Sequence, residues 1–435
     1  MAVYERVSIG SLAQGAVPPG YTFTRSTTAL YIDSDGLLKS AAINTPRRQW
    51  DATNRRWGYL AEPQRTNLQL YSNSLATWSS VGGSVAANNA LVIGTLSLTS
   101  LTEAASTSAR SAHNGAITTS IGSAYTMSAF FKNDGLRYLH LRCNDGASNA
   151  NAAAVVIDTT DGSIFAGPTA YGTFSAATAK VESGPVSGVF VASMTVTVSS
   201  VTTTPKIQMS ADGSLSGDGQ AQSYTGVGSR GIWVGGVQFE LGSYRSSLIP
   251  TTTATVTRGA DLLTRALTGP EGTALSTQGT MVVEFSFLGG DSTADSGNRG
   301  AAYLQGATSS DSIFIYNRSS AVGSLIYQAS SNQAAPIVSG TAAVGVVQKS
   351  AVTWKLNDVQ FARNGSHGTR DTTATMPTLT QVAIGGTLTV AGNVLVYAWT
   401  ISDDHYPTDA GMDALTTPTT NRNQSRLTLG LGLGL

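Results

Sequence analysis

Cysteine is all but absent: Cys143 is the one example in 435 residues. That excludes an intramolecular disulfide and a cysteine-built metal cluster, and argues for folding in a reducing compartment. Charge is scarce too. Only 12% of residues are charged and the formal net charge is zero, so no long-range field gathers DNA, RNA or an anionic membrane, and no nucleic-acid partner is expected. No apolar run reaches the ~18 residues that mark a membrane-spanning helix. The opening Met1-Ala2-Val3-Tyr4-Glu5-Arg6 lacks the parts of a cleavable signal. The expectation is an untargeted, soluble chain with no membrane insertion.

Helical periodicity is also missing: nowhere does a 3.6-residue period persist for three turns. What is present is glycine, at 47 positions, within a chain that is 41% hydrophobic. Ser, Thr and Ala fill much of the rest, a mixture that suits many short strands joined by tight turns. The length calls for more than one domain, because single cores stop growing near about 250 residues. The expected fold class is all-β: tandem antiparallel β-sandwiches of the jelly-roll kind behind an irregular N-terminal arm.

Residues 1–70 read as that arm and attachment segment, with turn signals at Pro18-Pro19-Gly20 and Asp33-Ser34-Asp35-Gly36. Residues 71–262 read as the first sandwich. There Leu139, Leu141 and Cys143 alternate with Tyr138, His140 and Arg142, and Val237, Phe239 and Leu241 alternate with Gln238 and Glu240, the period of strands buried on one face. Residues 263–277 read as a linker and 278–416 as the second sandwich. The second carries Met281, Val283, Phe285 and Phe287 in alternation, turns at Asn357-Asp358 and Asn364-Gly365, and a stretch from Val394 to Ile401 that is apolar on both faces, as a central strand would be.

Residues 417–435 form a tail in which Leu427, Leu429, Leu431, Leu433 and Leu435 alternate with Thr428, Gly430, Gly432 and Gly434. A lone strand cannot bury its own ridge of leucines, and glycine adds to the entropy of ordering it. The tail is expected either to add to the sheet edge of a neighbouring subunit or to remain a frayed terminus.

Catalytic signatures are lacking: there is no Walker loop, strand-linked GxGxxG, HExxH, GxSxG or CxxC. His113, His140, His367 and His405 are scattered singly, and nothing in the spacing of Glu103, Glu182, Glu240, Glu284, Asp291 and Asp403-Asp404 pairs them for glycoside hydrolysis. Asp158 and Asp161 flank a turn ending at Gly162, where Asp side chains bond local backbone and two donors fall short of a calcium shell. No enzyme activity, cofactor or metal is expected.

Two constellations remain. Tyr138, His140 and Arg142 put a phenol, an imidazole and a guanidinium on one strand face, a mixture suited to stacking on sugar rings and bonding their hydroxyls. A solvated or inter-subunit face is the alternative. Arg47, Arg48, Arg55, Arg56 and Arg65 interleave with Trp50 and Trp57, with Asp51 and Glu62 among them. That cluster fits subunit or inter-domain packing better than nucleic acid, since Arg and Trp anchor interfaces. Trp78, Trp233, Trp354 and Trp399 sit in strand-like context and read as core or half-core.

The run Gly58-Tyr59-Leu60-Ala61-Glu62-Pro63-Gln64-Arg65-Thr66-Asn67-Leu68, preceded by Phe23-Thr24-Arg25 and Asp33-Ser34-Asp35-Gly36, resembles a signature of tailed-bacteriophage virion proteins that leads into a jelly roll similar to carbohydrate-binding modules. Trp233 to Tyr244, Ile249-Pro250-Thr251 and Thr257-Arg258-Gly259-Ala260-Asp261 resemble its closing segment. Residues 278–416 resemble, on more general grounds, a laminin-G or concanavalin-like sandwich. The resemblance implies a virion protein of the tail (fibre, tip or baseplate), assembled in the bacterial host cytoplasm. It further implies a homotrimer or other homo-oligomer, with other virion proteins as partners and adhesion to host cell-surface polysaccharide. The alternative is a purely architectural head spike or capsid-decoration protein without glycan binding.

Overall fold

A computed structural model describes residues 3–85, 91–146, 150–289, 299–308, 310–318, 321–328, 331–335, 337–339, 343–386 and 392–418. Strand accounts for 54% of the described residues and helix for 5%, and all the named strand pairs are antiparallel. The chain divides into two compact units: one from 1–31, 41–64 and 259–435, the other from 32–40 and 65–258.

The second of these units is a β-sandwich. One sheet runs Leu91–Ile93, Leu96–Glu103, Gly231–Leu241, Ala124–Asp134, Val189–Thr197, Ser175–Ser183; the other runs Ile164–Tyr171, Ala152–Asp158, Tyr138–Asp145, Thr202–Ser210, Arg110–His113, Ser79–Val81. The alternating residues of the sequence meet between the sheets: Leu139, Leu141 and Cys143 share a core with Met194, Val196, Val237 and Phe239. The Asp158 to Gly162 segment is a turn, with Thr160 N–H donating to Asp158 Oδ1 at 2.9 Å, Ser163 N–H to Asp161 Oδ1 at 2.8 Å, and Gly162 at φ 75°.

The other unit is also two-sheeted. Val394–Ser402 is central, as its two apolar faces require, and pairs with Gln278–Phe287, Arg56–Ala61 and Val3–Ser8. Trp354 and Trp399 are fully buried in its core with Phe285 and Phe361. The helix Asp409–Thr416 starts at Thr408, whose hydroxyl accepts from Gly411 N–H at 3.2 Å, and covers Val282, Ala351, Ala362 and Ala398 with Met412 and Leu415.

Two expected boundaries are redrawn. Residues 1–70 are not an irregular arm: Val3–Ser8, Arg48–Asp51 and Arg56–Ala61 are strands of the same sheet as Gln278–Phe287. The presumed linker 263–277 supplies the strand Leu262–Ala266, paired with Gln381–Ile384 and Thr22–Thr24, and the helix Pro270–Leu275. Short strands that bury one face carry too few alternations to register as a period, and sequence patterning does not name a distant partner.

The eleven-residue run beginning at Gly58 explains itself as structure. A Cβ on Gly58 would lie 2.4 Å from the Leu395 side chain, so only glycine lets that strand approach. Glu62 ion-pairs with Arg47 at 2.7 Å, and both are buried. In the other unit, Asn67, at the end of the strand Arg65–Asn67, ties the strand Gly231–Leu241 to the segment at Ile249: its Nδ2 donates to Ile249 O at 2.9 Å and Val237 O at 3.3 Å, and its Oδ1 accepts from Phe239 N–H at 3.1 Å. Buried polar groups must be satisfied, and this amide satisfies backbone groups that the sheet leaves over.

Candidate functional site

The outward face of the Tyr138–Asp145 sheet follows from register. Opposite Tyr138, His140, Arg142 and Asn144 stand Ser210, Gln208, Lys206 and Thr204 on one side, and Asp158, Val156, Ala154 and Ala152 on the other. His113 continues the row of Arg142 and Lys206. At the far edge, the Phe165 ring lies 4.6 Å from the Tyr138 ring, and Tyr171 closes the row of Asn144. Three aromatic rings thus flank a central group of guanidinium, imidazole and amide.

This face is not open, as the alternation had suggested. His140 and Arg142 are fully buried and Tyr138 nearly so, while Phe165 is 51% exposed. The cover is the segment from Ala211 to Tyr224, a small hairpin bridged at Leu215 and Ala221. Gly213 N–H donates to Ser210 Oγ at 3.0 Å, Ala221 N–H to Gln208 Oε1 at 3.2 Å, and Arg142 Nη2 donates to Asp218 O at 3.1 Å. Glycines make the contact with the rings: a Cβ on Gly213 would stand 2.6 Å from Phe165, and one on Gly219 would stand 2.4 Å from Tyr171. Only a bare backbone fits there.

Electrostatics beneath this cover are uneven. Burial pushes the His140 imidazole down to about 3, so it is neutral; its Nε2 bonds Ser210 Oγ at 2.7 Å while its Nδ1 has no partner among the described residues. Burial, then the neighbouring Arg142, lowers Lys206, and burial, then Lys206, lowers His113. Burial also lowers Arg142, against which Asp218 acts as the strongest acid. The Asp218 carboxylate lies 3.6 Å from Arg142 Nη2.

The predicted arginine–tryptophan cluster separates into distinct roles. Arg47 is buried between Glu62 and Asp261, which removes it from any subunit contact, because ion pairs inside the unit already hold it. Arg56 pairs with Glu284 at 2.7 Å and lies 3.9 Å over the Tyr397 ring. Trp50 and Trp57 meet edge-on at 5.2 Å, Arg48 lies 4.3 Å over Trp57, and all three are half-buried, while Arg55 is an exposed turn residue at φ 53°. Leu427, Leu429, Leu431, Leu433 and Leu435 lie outside the described residues.

The candidate carboxylates are engaged. Glu103 pairs with Arg230 at 2.7 Å, Glu182 with Lys180 at 2.6 Å and Arg245 at 2.8 Å, and Glu240 accepts from Ser246 and Gln238 in full burial. Asp291 lies outside the described residues. Among the described residues no group of three or more His, Cys, Asp or Glu could hold a metal ion.

Sequence reasoning missed Lys206, Gln208, Ser210 and Phe165, though the alternation of Thr202–Ser210 around Ile207 and Met209 held a signal for the first three. It also missed the covering hairpin, whose Asp212-Gly213 and Asp218-Gly219 are turn dipeptides.

No protein-family model and no curated protein sequence matches this chain. Among solved structures it is similar to the CBM40 of Ruminococcus gnavus IT-sialidase bound to α2,3-sialyllactose, at 16% identity over 34% of this chain and 88% of that one, with a TM-score of 0.26. A carbohydrate esterase of the Shiga toxin-encoding bacteriophage phi24B matches at 16% identity over 32% of this chain and 74% of that one, with a TM-score of 0.23. Mouse laminin α1 domains LG4-5 match at 10% identity over 67% and 86%, with a TM-score of 0.25. Likenesses of this size say nothing about a ligand or a reaction.

Proposed function

We infer that this protein is a non-catalytic structural component of a tailed-bacteriophage particle, of the tail fibre, tip or baseplate, that adheres to polysaccharide on the host surface. The observation that carries the reading is the sheet face, lying beneath the hairpin, on which Tyr138, Phe165 and Tyr171 flank Arg142, His140 and Gln208. Aromatic rings stack on the C–H faces of sugars, and fixed donors and acceptors bond their hydroxyls. Weak single sites are compensated by avidity in a homo-oligomer. The phage setting comes from the run at Gly58–Leu68 and its partner segment at Thr257–Asp261. The engagement of Glu103, Glu182 and Glu240 in ion pairs and hydrogen bonds supports the absence of hydrolysis.

Binding of the purified chain to a glycan array and to whole host cells, without release of reducing sugar, is the expected result. A blank array together with blank cells overturns adhesion. Gold-labelled antibody on intact particles, viewed by electron microscopy, tests the address: label at the tail supports the reading and label on the head overturns it. An architectural head protein is the second reading, favoured by the half-buried Trp50–Trp57 pair with Arg48 beside it, a composition typical of interface anchors.

A further inference from the structure

The covering hairpin places a carboxylate where the sheet face has surplus positive charge. Arg142 and Lys206 are cross-strand neighbours in register, and like charges set opposite each other on a sheet repel. Asp218 is the acid that acts on both, with Asp145 a weaker influence on Arg142. Lys206 has no hydrogen-bond or ion-pair partner of its own among the described residues. Asp218 is held in place by the hairpin itself: it accepts from Gln220 Nε2 at 2.7 Å and from the Ser216 hydroxyl. Around it, Gly213 and Gly219 lie directly against the Phe165 and Tyr171 rings.

The hairpin therefore meets the face as a ligand would. Bare backbone lies on aromatic rings, a carbonyl and a carboxylate lie on a guanidinium, and a backbone amide meets Gln208. The buried Nδ1 of His140 is left without a partner under the same cover, a cost the closed form carries. The hairpin is anchored at its ends, Ala211 against the core and Tyr224 paired with Ser108 and bonded by Arg110, and between them Gly213, Asp218 and Ala221 bond the sheet, so opening of residues 212–222 is a local event. A carboxylate from outside can replace Asp218 at the Arg142 guanidinium and also reach Lys206 at the rim, whereas a neutral sugar puts no charge in the place of Asp218.

We propose that residues 212–222 form a displaceable lid over a binding site for carboxylate-bearing polysaccharide, in which Asp218 occupies the position of the ligand's acid group. This rests on the glycan-binding reading and specifies its ligand class. Arg142 and Lys206 receive the carboxylate, and Tyr138, Phe165 and Tyr171 receive the sugar rings. Ligand and lid exclude each other, so anything that loosens the lid raises affinity without new contacts.

The test uses the full chain with polygalacturonate, its carboxyl-reduced neutral form and dextran, at two salt concentrations. Polygalacturonate is expected to bind in a salt-sensitive manner. Asp218→Asn and Gly219→Ala are each expected to tighten it by about tenfold, while Lys206→Gln weakens it and flattens the salt dependence. Hydrogen exchange over residues 212–222 of the unaltered chain is expected to rise when polygalacturonate is added, which decides the matter even where a variant fails to fold. Unchanged exchange overturns the lid, and equal binding of the reduced polymer overturns the acidic ligand while leaving glycan binding intact. If no polysaccharide and no host cell binds the chain or either lid variant, the adhesion reading itself falls.

Discussion

Arg25 and Asp261, 236 positions apart in the chain, form a fully buried ion pair at 2.8 Å. Arg47 takes the other carboxylate oxygen, and Glu62 completes a neutral set of two cations and two anions. The backbone joins in: Glu62 N–H donates to Asp261 Oδ2 at 3.1 Å and Asp261 N–H to Glu62 O at 3.0 Å. Remote segments of the sequence are thereby locked at one point within the same unit.

Asp261→Asn is expected to destabilise that unit by about 3–5 kcal/mol, because it takes the acid partner from buried Arg25 and leaves two buried guanidinium groups against the single carboxylate of Glu62. Scanning calorimetry reads the loss, and an unchanged transition refutes the assignment.

Asn67→Ala is expected to cost about 2–3 kcal/mol, since truncation leaves the Phe239 N–H and the Ile249 and Val237 carbonyls unsatisfied in the interior. The transition to follow is that of the other unit; a variant as stable as the parent shows that the amide does not tie these segments together.

His140 gives a signed pH dependence. Its folded-state value, near 3, lies below the ordinary 6.5, so the unfolded chain binds the proton more readily between those values. The contribution to stability is whole above about pH 6.5 and is lost as pH falls toward 3. Melting curves from pH 7.5 to 3.5 are expected to show this slope, and His140→Gln is expected to flatten it.

Trp50→Ala tests the second surface. Trp50 is half-buried against Trp57, so the fold is expected to survive at a cost of about 1 kcal/mol. Sedimentation equilibrium is expected to show a lighter assembly than the parent; an unchanged mass frees the tryptophans from any subunit contact.

Much of this was legible in the residues. Strand alternation alone assigned Leu139, Leu141 and Cys143 to the core and Tyr138, His140 and Arg142 to the opposite face, and both assignments hold. The double apolar face of Val394 to Ile401 required a central strand, and the Asp-rich turn at 158–162 follows from local hydrogen bonding. Each of these is a property of a short stretch, set by side-chain period and turn chemistry.

Residue order alone, then, sets the all-β class and the two faces of each strand. Tertiary structure decided what lies on those faces. Folding carries Val3–Ser8, Thr22–Thr24, Arg48–Asp51 and Arg56–Ala61 into the sheets of the C-terminal sandwich, draws Arg47 inside to meet Asp261, and lays the 211–224 hairpin over His140 and Arg142. Periodicity records only whether a side chain points inward or outward. Whether the outward side meets water, a ligand or another stretch of the same chain depends on contacts between residues far apart, which no local pattern encodes.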